Sequence, residues 1–168
     1  MEIWGQIIGI IGTAITALSY QMNTKKSLLI AHTSATACFC LSYLLLGATL
    51  GFALNIIGIA RNICFYFQKE GQKTIYISTA IISVSMAVVS IFFWQGPISL
   101  VIIIALILNT FFLSLGKPQT LRYSLFLTCT MVIIYNIYVF SIGGIMNESI
   151  AIISSLIGVI RFRRSHKV

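Results

Sequence analysis

Aspartate is missing altogether from the 168 residues, the acids are three glutamates against eleven Lys and Arg, and charged side chains make up only 8% of the chain. That is roughly a third of the charge of an average soluble domain. It excludes an ordinary soluble domain and, with it, a soluble enzyme. There is no Ser/His/Asp set, no metal-spaced His cluster and no paired carboxylate, so an enzyme of any kind is not expected. The four cysteines, Cys38, Cys40, Cys64 and Cys129, lie inside apolar stretches without CxxC spacing. They read as small packing residues, and no metal or other cofactor is expected. The first apolar stretch has neither a basic n-region nor a small-residue cleavage site, so a removable signal peptide is not expected either.

What the chain does have is apolar length. Hydrophobic residues make up 58%, mean hydropathy is +1.00, and Ile3–Leu18 and Ile75–Trp94 carry no charge. A bilayer-spanning helix takes about 20 apolar residues, so seven spans use roughly 140 positions and leave only short connectors. Charge and turn punctuation put the spans near 3–20, 27–46, 50–68, 74–94, 97–115, 120–141 and 147–163. Connectors fall at Asn23–Lys26, Gly47–Thr49, Lys69–Lys73, Gln95-Gly96, Gly116–Gln119 and Gly143-Gly144.

On this map Lys25, Lys26, Arg61, Lys69, Lys73, Lys117, Arg122, Arg161, Arg163, Arg164 and Lys167 all fall at alternate loop levels, on one side. Basic residues near helix ends are retained in the cytoplasm, so the N-terminus is expected outside and the C-terminus inside. Only an odd number of spans allows this segregation. Glu2, Trp4, Trp94 and Glu148 then fall at the outer face. The net charge of +8 is thus a topology signal with some affinity for anionic lipid headgroups, not a nucleic-acid footprint. Every acid maps to a loop or an end, so proton coupling through a carboxylate is not expected.

The first and last three spans share a skeleton: an apolar helix, a polar turn with Gln, a helix with a central Tyr, a Gly-containing outer turn, and a helix ending in Gly-x-x-Arg. Gly58–Arg61 matches Gly158–Arg161, Tyr20-Gln21 stands opposite Pro118-Gln119, and Tyr43 opposite Tyr138. Two like-oriented triplets need one inverting helix between them, here Thr74–Trp94. The expected fold is therefore an all-α polytopic membrane protein of seven helices, in a 3+1+3 arrangement of two parallel triple-helix bundles. Residues 1–68 form the first repeat, 69–96 the inverting linker helix, and 97–168 the second repeat with a basic cytoplasmic tail.

On these residues the chain resembles the SWEET / PQ-loop superfamily, which includes the PnuC-like vitamin transporters, and within it is most similar to the YgjV-type proteins of the bacterial inner membrane. Such carriers hold solute near mid-bilayer between parallel repeats. The resemblance implies a transporter with a small-molecule solute as partner, a proline hinge in each triplet, and an Asn in the third helix of each repeat that binds solute. The first repeat keeps Gln21 but lacks the proline, so Pro118 is the better hinge. Gln21, Pro118, Gln119, Arg61 and Arg161 are the hinge and gate candidates. Both arginines are expected mainly to snorkel to the inner surface.

Asn55 shares a helical stripe with Gly51, Gly58 and Asn62 and should face the bundle interior, because an unpaired carboxamide in lipid is costly. The level of span seven taken as equivalent carries Ser154 and Ser155, so the paired-Asn site is halved, with Ser155 as the partner. His32, Thr36, Cys40 and Tyr43 make a polar stripe on span two. His32 reads either as a solute or proton-sensitive group, or as a neutral imidazole bonded to a neighbour. Thr128, Tyr135, Asn136 and Tyr138 form the corresponding stripe on span six, with Asn136 as the candidate. The functional expectation is facilitative movement of a small neutral or weakly polar solute such as a sugar, nucleoside or vitamin. The rival is an accessory or scaffold protein, monomeric or homo-oligomeric, whose polar groups only pack helices. A water-filled cavity lined by Asn55 separates the two.

Overall fold

The structure, a computed structural model, describes residues 2–19, 25–68, 73–115 and 118–165. Among the described residues there are seven helices and no strands: α1 (Glu2–Ser19), α2 (Lys25–Leu45), α3 (Thr49–Phe67), α4 (Lys73–Phe92), α5 (Ile98–Ser114), α6 (Pro118–Tyr138) and α7 (Ile142–Ser165). Each helix packs on its neighbours in sequence, and α1 also packs on α7, which closes the seven into a ring. The basic residues of the described helices occur toward one end of that ring, at the starts of α2, α4 and α6 and the later turns of α3 and α7.

The ring is apolar outside and polar within. Ile77, Ile81, Ile91, Leu127, Ile153 and Ile157 are among the large side chains left exposed, whereas Thr110, Thr128, Ser42, Ser90, Ser99 and Asn136 are fully buried. A protein folding in water does the reverse. In lipid the arrangement is expected, because exposed alkyl groups cost nothing there and hydroxyls and carboxamides need partners inside. By length and composition, α3 and α4 are the two helices long and apolar enough to cross a membrane, while the others carry shorter apolar stretches.

The turn between α6 and α7 differs from the sequence expectation. Gly143 and Gly144, read as a connector, lie inside α7, and the chain turns earlier, at Phe140. Phe140 adopts the left-handed conformation (φ 54°), its N–H donates to the Ile137 carbonyl, and the Ser141 N–H donates to the Asn136 carbonyl. This is the helix-ending motif that glycine normally fills. Gly47 fills it at the end of α2 (φ 73°), with bonds from Gly47 N–H to Leu44 and from Ala48 N–H to Tyr43. Ser141 then caps α7 by accepting from the Gly144 N–H at 3.2 Å.

The two glycines are packing positions. A Cβ on Gly143 would stand 2.3 Å from the Gly9 carbonyl carbon, and one on Gly144 would stand 2.3 Å from Asn136 Oδ1. Small residues let the backbones of α1 and α7 meet. Thr13 Oγ1 donates to the Gly143 carbonyl at 2.7 Å, Gln6 Oε1 accepts from the Ile142 N–H at 3.0 Å, and Gln6 Nε2 donates to the Phe140 carbonyl. These bonds join the two helix starts, so α1 and α7 run parallel.

A fixed spacing relates the two parts of the chain. The bounds of α6 are those of α2 moved by 93 positions at both ends, and α7 starts 93 positions after α3. This register sets Tyr43 opposite Asn136, Gly51 opposite Gly144, and Asn55 opposite Glu148. At this spacing Asn55 falls with Glu148, whereas the sequence reading set it with Ser154 and Ser155.

Candidate functional site

A cavity of about 170 Å³ lies in the middle of the ring. The same spacing of 93 recurs in its wall, where Thr16 and Asn109, Ala35 and Thr128, Thr36 and Cys129, Phe39 and Val132, Gly51 and Gly144, Leu54 and Asn147, and Asn55 and Glu148 all appear as pairs. Periodicity explains the selection. On α3, Gly51, Leu54, Asn55, Gly58 and Arg61 follow steps of three and four and so lie along one face.

Of the residues singled out in the sequence, Asn55, Thr36, Tyr43 and Arg61 line this cavity. Asn55 Nδ2 donates to the Gly51 carbonyl one turn back, at 2.8 Å, and the residue lines the cavity. Thr36 Oγ1 donates to the His32 carbonyl at 2.7 Å. Asn136 is fully buried just outside the wall, bonded to Tyr43. His32 is partly buried on α2 and Ser155 is buried on α7, and neither is part of the wall. Pro118 is the first residue of α6, a position that proline occupies without breaking a helix. Gln21 and the side chains of Pro118, Gln119 and Arg161 lie outside the described residues.

The end of the cavity away from the basic residues is shut by a hydrogen-bonded plug. Tyr43 Oη donates to Asn136 Oδ1 at 2.6 Å, and the Tyr43 and Tyr135 rings meet edge-on with centroids 6.3 Å apart. Tyr135 Oη accepts from the Gly51 N–H at 2.9 Å and donates to Gln95 Oε1 at 3.4 Å. The contact with Gly51 has a local cause. Ala48 at the N-cap of α3 offers no side-chain acceptor, so an unsatisfied N–H of the first turn takes the tyrosine from α6 instead. The matching N-cap in α7, Ser141, caps its own helix. Asn136 Nδ2 is buried without a partner, so the plug is not fully satisfied.

Three features of the site were not expected. Arg61 does not snorkel to the surface. Its guanidinium donates to Asn62 Oδ1 and, across to α5, to Thr110 Oγ1 at 3.2 Å, and it lines the cavity. Glu148 is not at a helix end. Because α7 starts at Ile142, Glu148 stands in its second turn, lines the cavity and accepts from Asn147 Nδ2 at 3.0 Å. A carboxylate is therefore present inside the helix ring after all. Finally α4, read from the sequence only as the inverting helix between the triplets, contributes the buried Met86 to the wall. The helical period of Asn147-Glu148 relative to Gly144 carried the signal for Glu148, but only once the start of α7 was correctly set.

The wall offers hydrogen-bonding groups together with one basic and one acidic side chain. Among the described residues no group of three or more His, Cys, Asp or Glu could hold a metal ion. Comparison with curated proteins returned no match, and neither did comparison with solved structures. Residues 3–166 match the family model Imp-YgjV, described as a bacterial inner membrane protein. With apolar side chains outside, polar ones inside and this match over nearly its whole length, the chain belongs to the Imp-YgjV family of bacterial inner membrane proteins.

Proposed function

We propose that the protein is a facilitative transporter that binds a small polar solute in the central cavity and releases it by alternating access. The observation that carries this reading is the central cavity itself, lined by polar as well as apolar side chains, to which the two parts of the chain contribute at matching positions. A scaffold would consume its carboxamides in helix-to-helix bonds. Asn55 instead bonds its own helix while lining the cavity.

The 93-residue register supports two like triplets, α1–α3 and α5–α7, with α4 as the inverting helix, the 3+1+3 plan of the SWEET and PQ-loop transporters. In this reading the basic end faces the cytoplasm, with the N-terminus outside and the C-terminus inside. The Tyr43–Asn136 and Tyr135–Gly51 plug is then the outer gate in its shut state. Gate opening exchanges those bonds for bonds to water or to the other triplet, a change eased by the unpartnered Asn136 Nδ2.

The test is counterflow in proteoliposomes with a panel of sugars, nucleosides, vitamins and amino acids. Wild type is expected to exchange at least one class. Gly58→Leu should abolish that exchange while the protein stays folded, because a Cβ at Gly58 meets only Thr36 Cγ2, at 3.6 Å, and the added side chain enters the cavity. No flux for the whole panel, or flux unchanged in Gly58→Leu, refutes the reading.

A further inference from the structure

The cavity wall carries one basic and one acidic side chain that do not pair with each other. Arg61 spends its hydrogen bonds on Asn62 and Thr110, both neutral. Glu148 accepts from Asn147, also neutral. Among the described residues no ion pair joins the two, although both line the same 170 Å³. Charges within a membrane bundle are costly unless paired, and they mark the path of a substrate or ion.

Their positions are complementary along the axis. Helices α3 and α7 start at the same end of the ring and share no extensive contact, so they form separate walls. Arg61 stands 12 residues past Thr49 and Glu148 stands 6 past Ile142. At 1.5 Å rise per residue their levels differ by about 9 Å. Beside Glu148 the wall holds the Asn55 carboxamide, the Cys129 thiol and Asn147, whose Oδ1 is buried with no partner. Around Arg61 the surplus groups are guanidinium N–H donors. One level of the cavity lacks a cation, and the other lacks an anion.

Resting on the transport reading of the same cavity, we infer that its solute is a small zwitterion, an amine and an acid group on one short molecule, with the ammonium at Glu148, Asn147 and Asn55 and the carboxylate or similar anion at Arg61. A neutral sugar leaves both Arg61 and Glu148 without an ionic partner, and a simple cation or anion leaves one of them so. The volume agrees, since 170 Å³ is the liquid volume of between five and six waters at roughly 30 Å³ each, the scale of a short amino acid. The titratable and charged groups facing Glu148 from the packed elements are Cys129 and Tyr135 of α6, Tyr43 of α2 and Arg61 of α3.

The experiment is calorimetric titration of the purified full-length protein with glycine, β-alanine and 4-aminobutyrate, against ethylamine, propionate and glucose, run beside the counterflow assay. At least one of the three amino acids should bind ten-fold or more tightly than ethylamine, propionate or glucose. Glu148→Gln should lose ten-fold or more for that amino acid and less than three-fold for propionate. Arg61→Gln should show the reverse, losing propionate binding while sparing ethylamine. If Glu148→Gln fails to fold, Glu148→Asp serves, with the affinity optimum expected to move to a longer amino acid in the series. Equal binding of glucose, equal binding of either half-molecule, variants that leave amino-acid affinity unchanged, or no binding by folded wild type each overturn the inference. Counterflow of a neutral solute without amino-acid binding removes the zwitterion and leaves the transporter. Saturable amino-acid binding without counterflow removes the transporter and leaves the binding site.

Discussion

Gly143→Ala should open the ring at its seam. The added methyl would stand 2.3 Å from the Gly9 carbonyl carbon and 2.7 Å from its Cα and oxygen, all backbone atoms that no rotamer change can move. Helices α1 and α7 must separate by about 1 Å or more to restore van der Waals contact. Overpacking of this kind costs about 1–3 kcal/mol. Separation also stretches the bond from Thr13 to Gly143 and the two bonds that Gln6 makes to the start of α7. Bonds between membrane helices average about 0.6 kcal/mol each. The sum is a loss of about 3 kcal/mol, read as a lowered midpoint in equilibrium unfolding by sodium dodecyl sulfate in mixed micelles. Gly58→Ala is the control, because its methyl meets only Thr36 Cγ2 at 3.6 Å. In mid-helix it should be neutral or stabilising by up to about 1 kcal/mol. A wild-type midpoint for Gly143→Ala, or an equal loss in the two variants, would refute the packing argument.

Tyr135→Phe strands the Gly51 N–H, and the same unfolding assay should register a loss of about 1–3 kcal/mol, the cost of an unmade buried hydrogen bond. Tyr43→Ala removes the ring and hydroxyl that shut the plug, so a membrane-impermeant maleimide applied outside should label Cys129 in the cavity wall of that variant and not in wild type, read by mass spectrometry. Reporter fusions after residues 23 and 165 should report the cytoplasm and those after residues 47 and 95 the periplasm; fusions at 23 and 165 in different compartments would overturn the charge-based topology. Phe140→Gly should gain about 1 kcal/mol, because the left-handed backbone costs roughly that for a residue with a Cβ, while the exposed ring loses little contact.

The residues of the site divide by whether their position follows from local pattern or from neighbours. Asn55, Thr36 and Tyr43 are legible in the sequence because a polar group on an apolar helix must face inward, and a step of three or four tells which others share its face. Arg61 was visible as a repeated arginine, but its turn toward Thr110 depends on α5 lying within reach of α3, which no local rule supplies. Glu148 was hidden by a misplaced turn. Gly143-Gly144 is the strongest turn signal in that stretch, yet the left-handed position belongs to Phe140, a residue without turn propensity. The glycines are there because Gly9 and Asn136 press against them.

The sequence by itself determined the number of helices, the end of the bundle that holds the cations and the inward polar stripes, since hydropathy, charge and helical period act within about one span of chain. Only the tertiary structure decided that α1 meets α7, that Tyr43 bonds Asn136 and that Arg61 and Glu148 share one cavity. Those outcomes rest on how closely two backbones approach and on which orphan donor finds which acceptor, and both are settled between helices far apart in sequence.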